Sequence, residues 1–248
     1  IEAVKGEYAP ASIIVHYPKA GIKDFPGFDR GYFQVQDQAT QLASLLLTPF
    51  EKETRCLDGC AGLGGKTTHL ADLLLQANKS EKNTLPQLVA IEPEIGRFTK
   101  LIENIQDHPL SGQIQCIQSN LAEFAETEPG TFNRVLLDTP CSGTGVTGRH
   151  PDIRWNRLEK DLKDYAKTQA NLLETAAGLV SQGGVLVYAT CSIEPEENFQ
   201  IIEKFLQNKS FTLSDCKEIL PETAHRFVSG KCFAPLPEQA IDGFFAAR

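Results

Sequence analysis

Two apolar stretches that each run into a cysteine constrain the fold of this chain more than any other feature. Residues 135–145, VLLDTPCSGTG, carry three aliphatic residues and then Asp138 and Cys141, whereas residues 184–192, GVLVYATCS, end beside Cys191. Short continuous aliphatic runs are typical of parallel strands that are covered on both faces. Ligands bind at the carboxyl ends of such strands in open α/β sheets, so neighbouring strands here would bring a carboxylate and two thiols to one crevice.

A glycine-rich turn lies upstream, between a predicted strand and a predicted helix. The strand is expected at residues 54–57, the turn DGCAGLGGK occupies residues 58–66, and an amphipathic helix is expected at residues 66–76. Glycines let a backbone approach a ligand closely, and a helix N-terminus offers free N–H groups to a carboxylate or phosphate. This arrangement predicts the opening βα unit of a nucleotide-binding type of fold.

Three classes of ligand compete for this turn. A P-loop requires a glycine where Cys60 stands, although Lys66 and Thr67 fit the end of that motif. A dinucleotide fingerprint requires a third glycine, which position 67 does not supply. S-adenosylmethionine tolerates a looser glycine pattern and therefore remains as the predicted ligand.

Polar residues end the next two predicted strands. Residues 87–91 run into Glu92, which stands where a carboxylate can accept hydrogen bonds from both hydroxyls of a ribose. The alternative is an acid that caps the following helix at residues 94–106, but the glycine turn favours the ribose. Residues 114–119 run into Asn120, which either bonds an adenine edge or forms a turn.

The segment 148–155, GRHPDIRW, is the candidate for contact with nucleic acid. It holds the only tryptophan, Trp155, together with Arg149, His150 and Arg154. Arginine suits contact with phosphate, and tryptophan suits stacking on a base. The alternative is a packed loop in which Trp155 is buried.

The remaining patterns complete an alternating α/β order. Apolar residues at helical spacing predict a helix at residues 35–47, and a longer helix of mixed charge is expected at residues 158–180. A turn is expected at residues 181–184. Acidic residues at 194–198 predict the start of another helix, and residues 242–247 predict a closing edge strand.

Six motifs, in this order, resemble those of the Nol/Nop/Sun-type RNA (cytosine-5) methyltransferases: GCAGLGGKTTH, LLDTPCSGTG, RHPDIRW, YATCS, EPEEN and DGFF. The resemblance runs from position 27 or so to the end of the chain. It implies a class I, Rossmann-like methyltransferase fold of the α/β class, with a mostly parallel seven-stranded sheet, one antiparallel strand near the end and helices on both faces. It also implies S-adenosyl-L-methionine as the cofactor.

The resemblance assigns roles to individual residues. Cys191 matches the nucleophile, and Cys141 matches a second cysteine that assists release of the product. The positions that match cofactor contacts are Cys60, Ala61, Gly62, Leu63, Gly64, Gly65, Lys66, Glu92, Asn120 and Asp138. Leu63 departs from the usual proline, and Glu92 and Asn120 stand where aspartate is common. Glutamate can keep the ribose contact that aspartate makes.

The implied reaction explains why two thiols and one acid are needed. A thiolate adds to C6 of cytosine and makes C5 nucleophilic enough to accept a methyl group, which is covalent catalysis. Asp138 is expected to bond the N3–N4 edge and to stabilise the charge that develops. Loss of the C5 proton and elimination of the thiolate end the cycle, with the second thiol assisting proton transfer. Strand position alone does not show which cysteine attacks.

Composition and length add expectations about the whole chain. Residues 1–33 are predicted to end a preceding small subdomain or to form a linker, and residues 34–248 to form the methyltransferase catalytic domain. Because the chain begins at Ile1, we expect it to be a piece of a longer protein. Seven cysteines without a C-x-x-C pair predict reduced thiols and a cytoplasmic location, and no apolar run reaches membrane-spanning length.

The predicted substrate is RNA, in particular ribosomal RNA, at a flipped or loop nucleotide. A net charge of −8 argues mildly against a general polyanion binder, although a local basic patch would still fit an acidic protein. We expect a monomer with no metal and no membrane contact. Two other functions stay open from the residues: a catalytically idle RNA-binding scaffold on the same fold, and a P-loop-like nucleotide hydrolase.

Overall fold

The structure is a computed structural model that describes residues 2–16, 21–51, 53–77, 87–208 and 210–248. The strands in these ranges are β1 (Glu2–Lys5), β2 (Ile13–His16), β3 (Arg55–Asp58), β4 (Gln87–Ile91), β5 (Ile114–Ile117), β6 (Phe132–Asp138), β7 (Val180–Thr190), β8 (Val228–Ser229), β9 (Cys232–Phe233) and β10 (Phe245–Ala247). The α-helices are α1 (Gln38–Leu45), α2 (Gly65–Ala77), α3 (Ile95–Ile105), α4 (Leu121–Ala125), α5 (Ile153–Asn156), α6 (Glu159–Leu179) and α7 (Phe199–Asn208).

Eight of the described strands form one sheet in the order β5-β4-β3-β6-β7-β10-β9-β8. Strands β5 to β7 in this order run parallel, and β10, β9 and β8 are antiparallel to their neighbours. The predicted mostly parallel α/β sheet is therefore confirmed. It has eight strands instead of the seven expected: five parallel strands, β10, and the two-residue strands β9 and β8 beyond it. Pairs this short leave no periodic pattern in a sequence.

Two predictions about the end of the sheet are wrong. The terminal strand β10 is not an edge strand, because it pairs with β7 on one side and with β9 on the other. The turn expected at residues 181–184 lies inside β7. There the register against β6 shifts between Phe132 and Arg134, and Gly183 has a φ of 76°, so the glycines form an irregularity within the strand.

Helix boundaries differ from the predicted ones where capping or a turn intervenes. The first helix begins at Gln38 instead of residue 35, because the Asp37 carboxylate accepts the backbone N–H of Ala39 at 2.8 Å and caps the helix. The helix expected to start within residues 194–198 begins at Phe199, after a turn. By contrast, β4 has the bounds that its aliphatic run predicted.

Alternating strand residues build a hydrophobic core on each face of the sheet. Leu88 and Ala90 of β4 face the layer that contains α1, α2 and α3, whereas Val89 and Ile91 face α4, α6 and α7. Period-two alternation buries both faces because helices cover each of them. The prediction of helices on both faces is thus confirmed, and the carboxyl ends of the parallel strands stay open between the two layers.

The short strands β1 and β2 form a separate hairpin that is joined to the main core by the turn between them. Tyr8 of this turn is buried and packs edge-on against Phe227, with ring centroids 5.0 Å apart. The Gln38 side chain accepts the backbone N–H of Tyr8 at 2.9 Å. The division at residue 33 stays a prediction. In the part of the chain described here, no helix combines the length and the apolarity that crossing a bilayer requires.

Candidate active site

The glycine-rich turn connects β3 to α2 and lines an open cleft. Gly62 and Gly64 have φ angles of 56° and 90°, which residues with a side chain rarely adopt. At Gly62 a Cβ would meet open space, whereas at Gly64 it would lie 2.7 Å from Cδ1 of Leu101. The cleft has a volume of about 230 Å³ and is lined by Gln36, Thr40, Cys60, Ala61, Gly62, Leu63, Gly65, Lys66 and Asp138.

Most of the predicted cofactor residues line this cleft, and two residues that sequence analysis missed join them. Gln36 and Thr40 come from the start of the α1 region, whose apolar spacing gave no sign that its first turn faces a ligand site. Glu92 lies just behind the turn. It is buried, and its carboxylate accepts the N–H groups of Gly62 at 3.0 Å and Glu94 at 2.9 Å, so it holds the glycine turn in shape.

Asn120 is placed differently. Its side-chain oxygen accepts the backbone N–H of Glu123 at 2.9 Å, and the residue is the N-cap of α4. It is exposed and does not line the cleft. The structure therefore shows the local role that was the alternative in the sequence, and the adenine contact stays a prediction.

An ion pair between Lys66 and Asp138 joins the glycine turn to the end of β6. The Lys66 ammonium group also lies 5.6 Å from the ring centroid of Phe244, in a cation–π contact. Burial alone would lower the pKa of Lys66, but the Asp138 carboxylate outweighs it and raises that pKa. Lys66 is therefore a fixed positive charge at the carboxyl edge of the sheet.

Asp58, at the end of β3, lies beneath this ion pair. Its carboxylate is fully buried and accepts the Thr67 hydroxyl at 2.7 Å. Burial raises the pKa of Asp58 to about 6, although the Thr67 hydrogen bond acts in the opposite direction. This acid was part of the predicted turn but received no role from the sequence.

The two predicted catalytic thiols meet at the same edge. Strands β6 and β7 are neighbours, and the sulfur atoms of Cys141 and Cys191 lie 2.8 Å apart, both in free cysteines. A hydrogen bond from the Cys141 thiol lowers the pKa of Cys191, against the effect of burial. The Lys66 ammonium group lowers it further, whereas the Asp138 carboxylate raises it. Of the two thiols, Cys191 is therefore the one whose pKa is lowered.

The pKa of Cys141 shifts in the opposite direction. The hydrogen bond to Cys191, burial and the negative charge of Glu197 together hold the pKa of Cys141 well above its ordinary range. The opposite pKa shifts thus favour Cys191 over Cys141 as the thiolate, a distinction that strand position alone did not give. Glu197 was missed by sequence analysis, because nothing in the run EPEEN distinguishes the buried acid from its exposed neighbours.

Backbone contacts lock the two thiol loops onto the turn before β10. Gly145 donates its N–H to the carbonyl of Cys191 at 3.0 Å, and Gly243 donates its N–H to the carbonyl of Gly145 at 3.0 Å. A Cβ on Gly145 would lie 2.1 Å from the Gly243 carbonyl oxygen. Only glycine permits this approach, so the turn before β10 is part of the site's scaffold.

The basic segment that follows the first thiol loop divides into two parts. Arg149 is held by two carboxylates, Asp37 at 2.6 Å and Asp242 at 2.9 Å. His150 and Arg154 are exposed, and Trp155 has 85% of its surface exposed. The buried alternative for Trp155 is wrong, and the roles of these side chains in binding remain predictions.

Comparison with solved structures defines the class of protein. The structure superposes on a methyltransferase homologue from Pyrococcus horikoshii with a TM-score of 0.74 and 24% identity, over 99% of this chain and 77% of that one. It superposes on NSun6 from Pyrococcus horikoshii, solved with SFG, with a TM-score of 0.73 and 25% identity, over 92% of this chain and 55% of that one. The fold is that of class I S-adenosylmethionine-dependent methyltransferases.

Sequence comparison gives the family. The profile described as 16S rRNA methyltransferase RsmB/F matches residues 44–248, and the chain belongs to this family, which is of the Nol/Nop/Sun type. Ribosomal RNA small subunit methyltransferase B of Yersinia enterocolitica is 36% identical over the whole of this chain and 53% of its own length. The protein of the same name from Yersinia pestis is 37% identical over 92% of this chain and 49% of its own. The chain thus spans about half the length of these relatives.

Proposed function

We propose that this chain transfers a methyl group from S-adenosyl-L-methionine to C5 of a cytosine in ribosomal RNA, through a covalent bond between Cys191 and C6 of the base. The observation that carries the proposal is the thiol pair, with 2.8 Å between the sulfur atoms of Cys141 and Cys191. The pair lies next to Lys66 and Asp138, which line the cleft of the glycine turn. The RNA named in the family description supports the substrate.

The residues around the cleft fit the cofactor. Open space at Gly62 leaves room for a ligand against the backbone of the turn, from Cys60 to Lys66. Each oxygen of the Glu92 carboxylate accepts one backbone N–H, so lone pairs remain for the ribose hydroxyls. Asn120, whose oxygen caps α4, would use its amide N–H₂ group toward the adenine. When bound, S-adenosylmethionine supplies the methyl group.

In the proposed reaction the Cys191 thiolate forms a bond to C6, the electron pair of the C5–C6 double bond forms a C4–C5 double bond, and the electron pair of the N3–C4 double bond moves to N3, which makes an enamine. The C5 atom becomes nucleophilic and can take up the methyl group. Release requires that the C5 proton leave and that its electrons restore the C5–C6 bond as the bond from C6 to Cys191 breaks. Cys141, the thiol with the raised pKa, donates its proton to the departing Cys191 sulfur and takes up the C5 proton in its place.

At the N3–N4 edge of the base, the Asp138 carboxylate accepts a hydrogen bond from the N4 amino group, and the Lys66 ammonium group beside it stabilises the negative charge that addition of the thiolate places on the ring. The Lys66–Asp138 ion pair thereby replaces part of the hydration that the base loses when it enters the site. The exposed side chains of His150, Arg154 and Trp155 are proposed to contact RNA around the flipped nucleotide. Arg149 positions the loop between Asp37 and Asp242 and acts on RNA indirectly.

The proposal places the reaction in the cytoplasm, which the seven free thiols favour, and requires neither a metal nor a second copy of the chain. The family membership leaves no support for nucleotide hydrolysis at a P-loop. An idle scaffold that binds RNA without methylating it is the remaining competitor, and a transfer assay separates the two.

The test is transfer of labelled methyl groups from S-adenosylmethionine to RNA, with wild type, Cys191→Ala and Cys141→Ala compared side by side. We expect labelled cytosine with wild type and no label with Cys191→Ala. Cys141→Ala should form the bond to C6 but release it slowly, so a protein–RNA adduct should accumulate on denaturing gels. Cys116→Ala, which removes a thiol from β5 at the far edge of the sheet, is the matched control and should retain activity.

Methylation by Cys191→Ala would refute the assignment of the nucleophile. An absence of label with wild type on ribosomal RNA and on ribosomal particles, despite RNA binding, would favour the scaffold.

A further inference from the structure

A buried carboxylate lies behind the two thiols and touches both of the loops that carry them. Ser142, which follows Cys141, donates its N–H to Oε1 of Glu197 at 2.9 Å and its hydroxyl to Oε2. Ser192, which follows Cys191, also donates its hydroxyl to Oε2, at 2.5 Å. One carboxylate therefore joins the residues next to the two sulfur atoms, which are 50 positions apart in the sequence.

Side chains from two other elements, α6 and β7, also form hydrogen bonds with Glu197. Gln169 of α6 donates its amide N–H to Oε1 of Glu197 at 2.8 Å, and Tyr188 of β7 donates its hydroxyl to the Glu197 carbonyl at 2.6 Å. Glu197 has no exposed surface. A buried carboxylate is costly unless donors surround it, and this one has four, so its position is tightly defined. A hydrophobic residue could fill the space but could not tie the two loops together.

The geometry of the two loops controls the ionisation of the thiols. A hydrogen bond weakens steeply as the donor moves away from its acceptor or out of line with it. The thiolate form of Cys191 depends on the thiol of Cys141, so any spreading of the loops removes stabilisation from the thiolate. The two loops also share neutral contacts: the Ser142 and Ser192 hydroxyls lie 3.2 Å apart, and the Thr144 hydroxyl lies 3.5 Å from that of Ser142 and 3.2 Å from that of Ser192. Glu197 adds a charged acceptor to these contacts, which makes its hydrogen bonds the stronger ones.

We propose that Glu197 is a positioning residue that clamps the Cys141 and Cys191 loops together and keeps Cys141 as the hydrogen-bond donor to the Cys191 thiolate. This inference rests on the proposed function, in which Cys191 is the nucleophile. Glu197 touches neither sulfur atom in a hydrogen bond and acts through Ser142 and Ser192.

The charge of Glu197 acts in the same direction as its geometry. The groups that face Cys191 are Cys141, the Asp138 carboxylate and the Lys66 ammonium group. Glu197 faces Cys141 instead, and its negative charge raises the pKa of that thiol. The carboxylate thus opposes ionisation of the donor, while Lys66 favours ionisation of the acceptor.

The test compares Glu197→Gln with Glu196→Gln. The first substitution keeps the size of the side chain but removes its charge and one acceptor oxygen, whereas the second makes the same change one residue earlier at an exposed site. The whole chain is treated with iodoacetamide across about pH 6–9, without RNA or cofactor. Modification of each cysteine is then measured by peptide mass spectrometry at low conversion.

In wild type and Glu196→Gln, we expect Cys191 to be alkylated first, with a pKa below that of an ordinary thiol. In Glu197→Gln, the apparent pKa of Cys191 should rise by about one unit, because the hydrogen bond to a charged group is weakened. The preference for Cys191 over Cys141 should fall by about tenfold at neutral pH. Ser192→Ala, which removes one hydroxyl donor and keeps the carboxylate, should shift the profile in the same direction if Glu197→Gln fails to fold.

If Glu197→Gln folds and its alkylation profile is unchanged, the inference is overturned, even if the variant melts at a lower temperature. Glu197 would then only support the fold. Alkylation needs neither RNA nor methyl transfer, so a failure of the proposed function would appear separately, as wild type that is alkylated at Cys191 but labels no RNA.

Discussion

Three buried or half-buried carboxylates near the thiols differ in how their charge is compensated. Asp138 has an ion pair with Lys66, and Glu197 has four hydrogen-bond donors. Asp58 is fully buried, and its hydrogen bond from Thr67 does not offset the loss of water. The charge of Asp58 therefore opposes folding near neutral pH, whereas the other two carboxylates are accommodated by their partners.

Asp58→Asn should stabilise the protein near neutral pH. The pKa of Asp58 is raised to about 6 in the folded state from 3.8 in the unfolded state, so the folded protein binds more protons between these values. The free energy of unfolding contributed by this group is thus highest at low pH and is lost as the pH rises through 6. Relative to wild type, the variant should gain about 2–3 kcal/mol between about pH 4 and pH 7.5.

Urea denaturation at both pH values measures this difference, with the exposed Asp164→Asn as the control. A variant whose difference from wild type is the same at both pH values would show that Asp58 is ionised in the folded protein throughout this range.

For single residues, the sequence predicted which side chains take part in the proposed chemistry better than it predicted where each side chain lies in the fold. The two thiols, Asp138 and the glycine turn followed from motifs, because such chemistry needs particular side chains in a local order. Glu197 did not follow, because its burial is decided by Ser142 and Gln169, which are distant in the sequence. Asn120 illustrates the converse, since a strand-end amide suits a ligand and a helix cap equally well.

Among the elements, the glycine turn has the strictest backbone requirements. Gly64 has a φ of 90°, and a Cβ there would approach Leu101, which is fully buried and has little room to move. Gly178 near the end of α6 has ordinary helical geometry, and a Cβ there would meet nothing within 4 Å. Glycine is therefore required at position 64 by the backbone conformation, whereas nothing in the structure requires it at position 178.

Gly64→Ala should lower the free energy of unfolding by about 1–3 kcal/mol, because alanine is strained at this φ and crowds Leu101. It should also weaken binding of S-adenosylmethionine, since the turn must change shape. Gly178→Ala should be neutral or stabilising by up to about 1 kcal/mol, with unchanged affinity. Denaturation and calorimetric titration of the cofactor check both variants. Equal effects of the two substitutions would mean that the turn adapts freely.

The elements show where sequence patterns stop being informative. Strand β4 was predicted with its bounds, because a buried parallel strand needs an unbroken aliphatic run. The terminal strand β10 was predicted as a strand but placed wrongly at an edge. Its partner β9 has only two residues and pairs with it through Phe233, so no pattern could reveal that neighbour.

At the scale of the whole molecule, the proposed binding of RNA by an acidic chain requires a restricted surface that is locally favourable to a polyanion. The net charge is −8, and Arg149 is already neutralised by two carboxylates. Trp155 is a large exposed aromatic side chain in the same segment, next to Arg154. We therefore expect stacking on a base to contribute more to RNA affinity than the charges of this segment do.

Trp155→Ala should weaken RNA binding by about tenfold or more, which corresponds to the 1–3 kcal/mol of a stacked base. The dependence of log Kd on log salt concentration should not change, because stacking releases no counterions. Trp155→Phe should retain most of the affinity, whereas Arg154→Gln should reduce the salt slope by about 0.7. Binding measured at several salt concentrations tests all three variants, and full affinity of Trp155→Ala would show that this surface does not touch RNA.

The backbone contact of Gly145 with Gly243 has a consequence for a chain that has not yet folded. In the folded protein the thiol loops contact the turn before β10, and β10 pairs with a strand on each side. In the unfolded chain the two cysteines are 50 positions apart and lack both the ammonium group and the carboxylate clamp, so we expect them to react as ordinary thiols. The proposed capacity of Cys191 to bond with RNA therefore depends on the complete fold, and an unfolded copy should lack it.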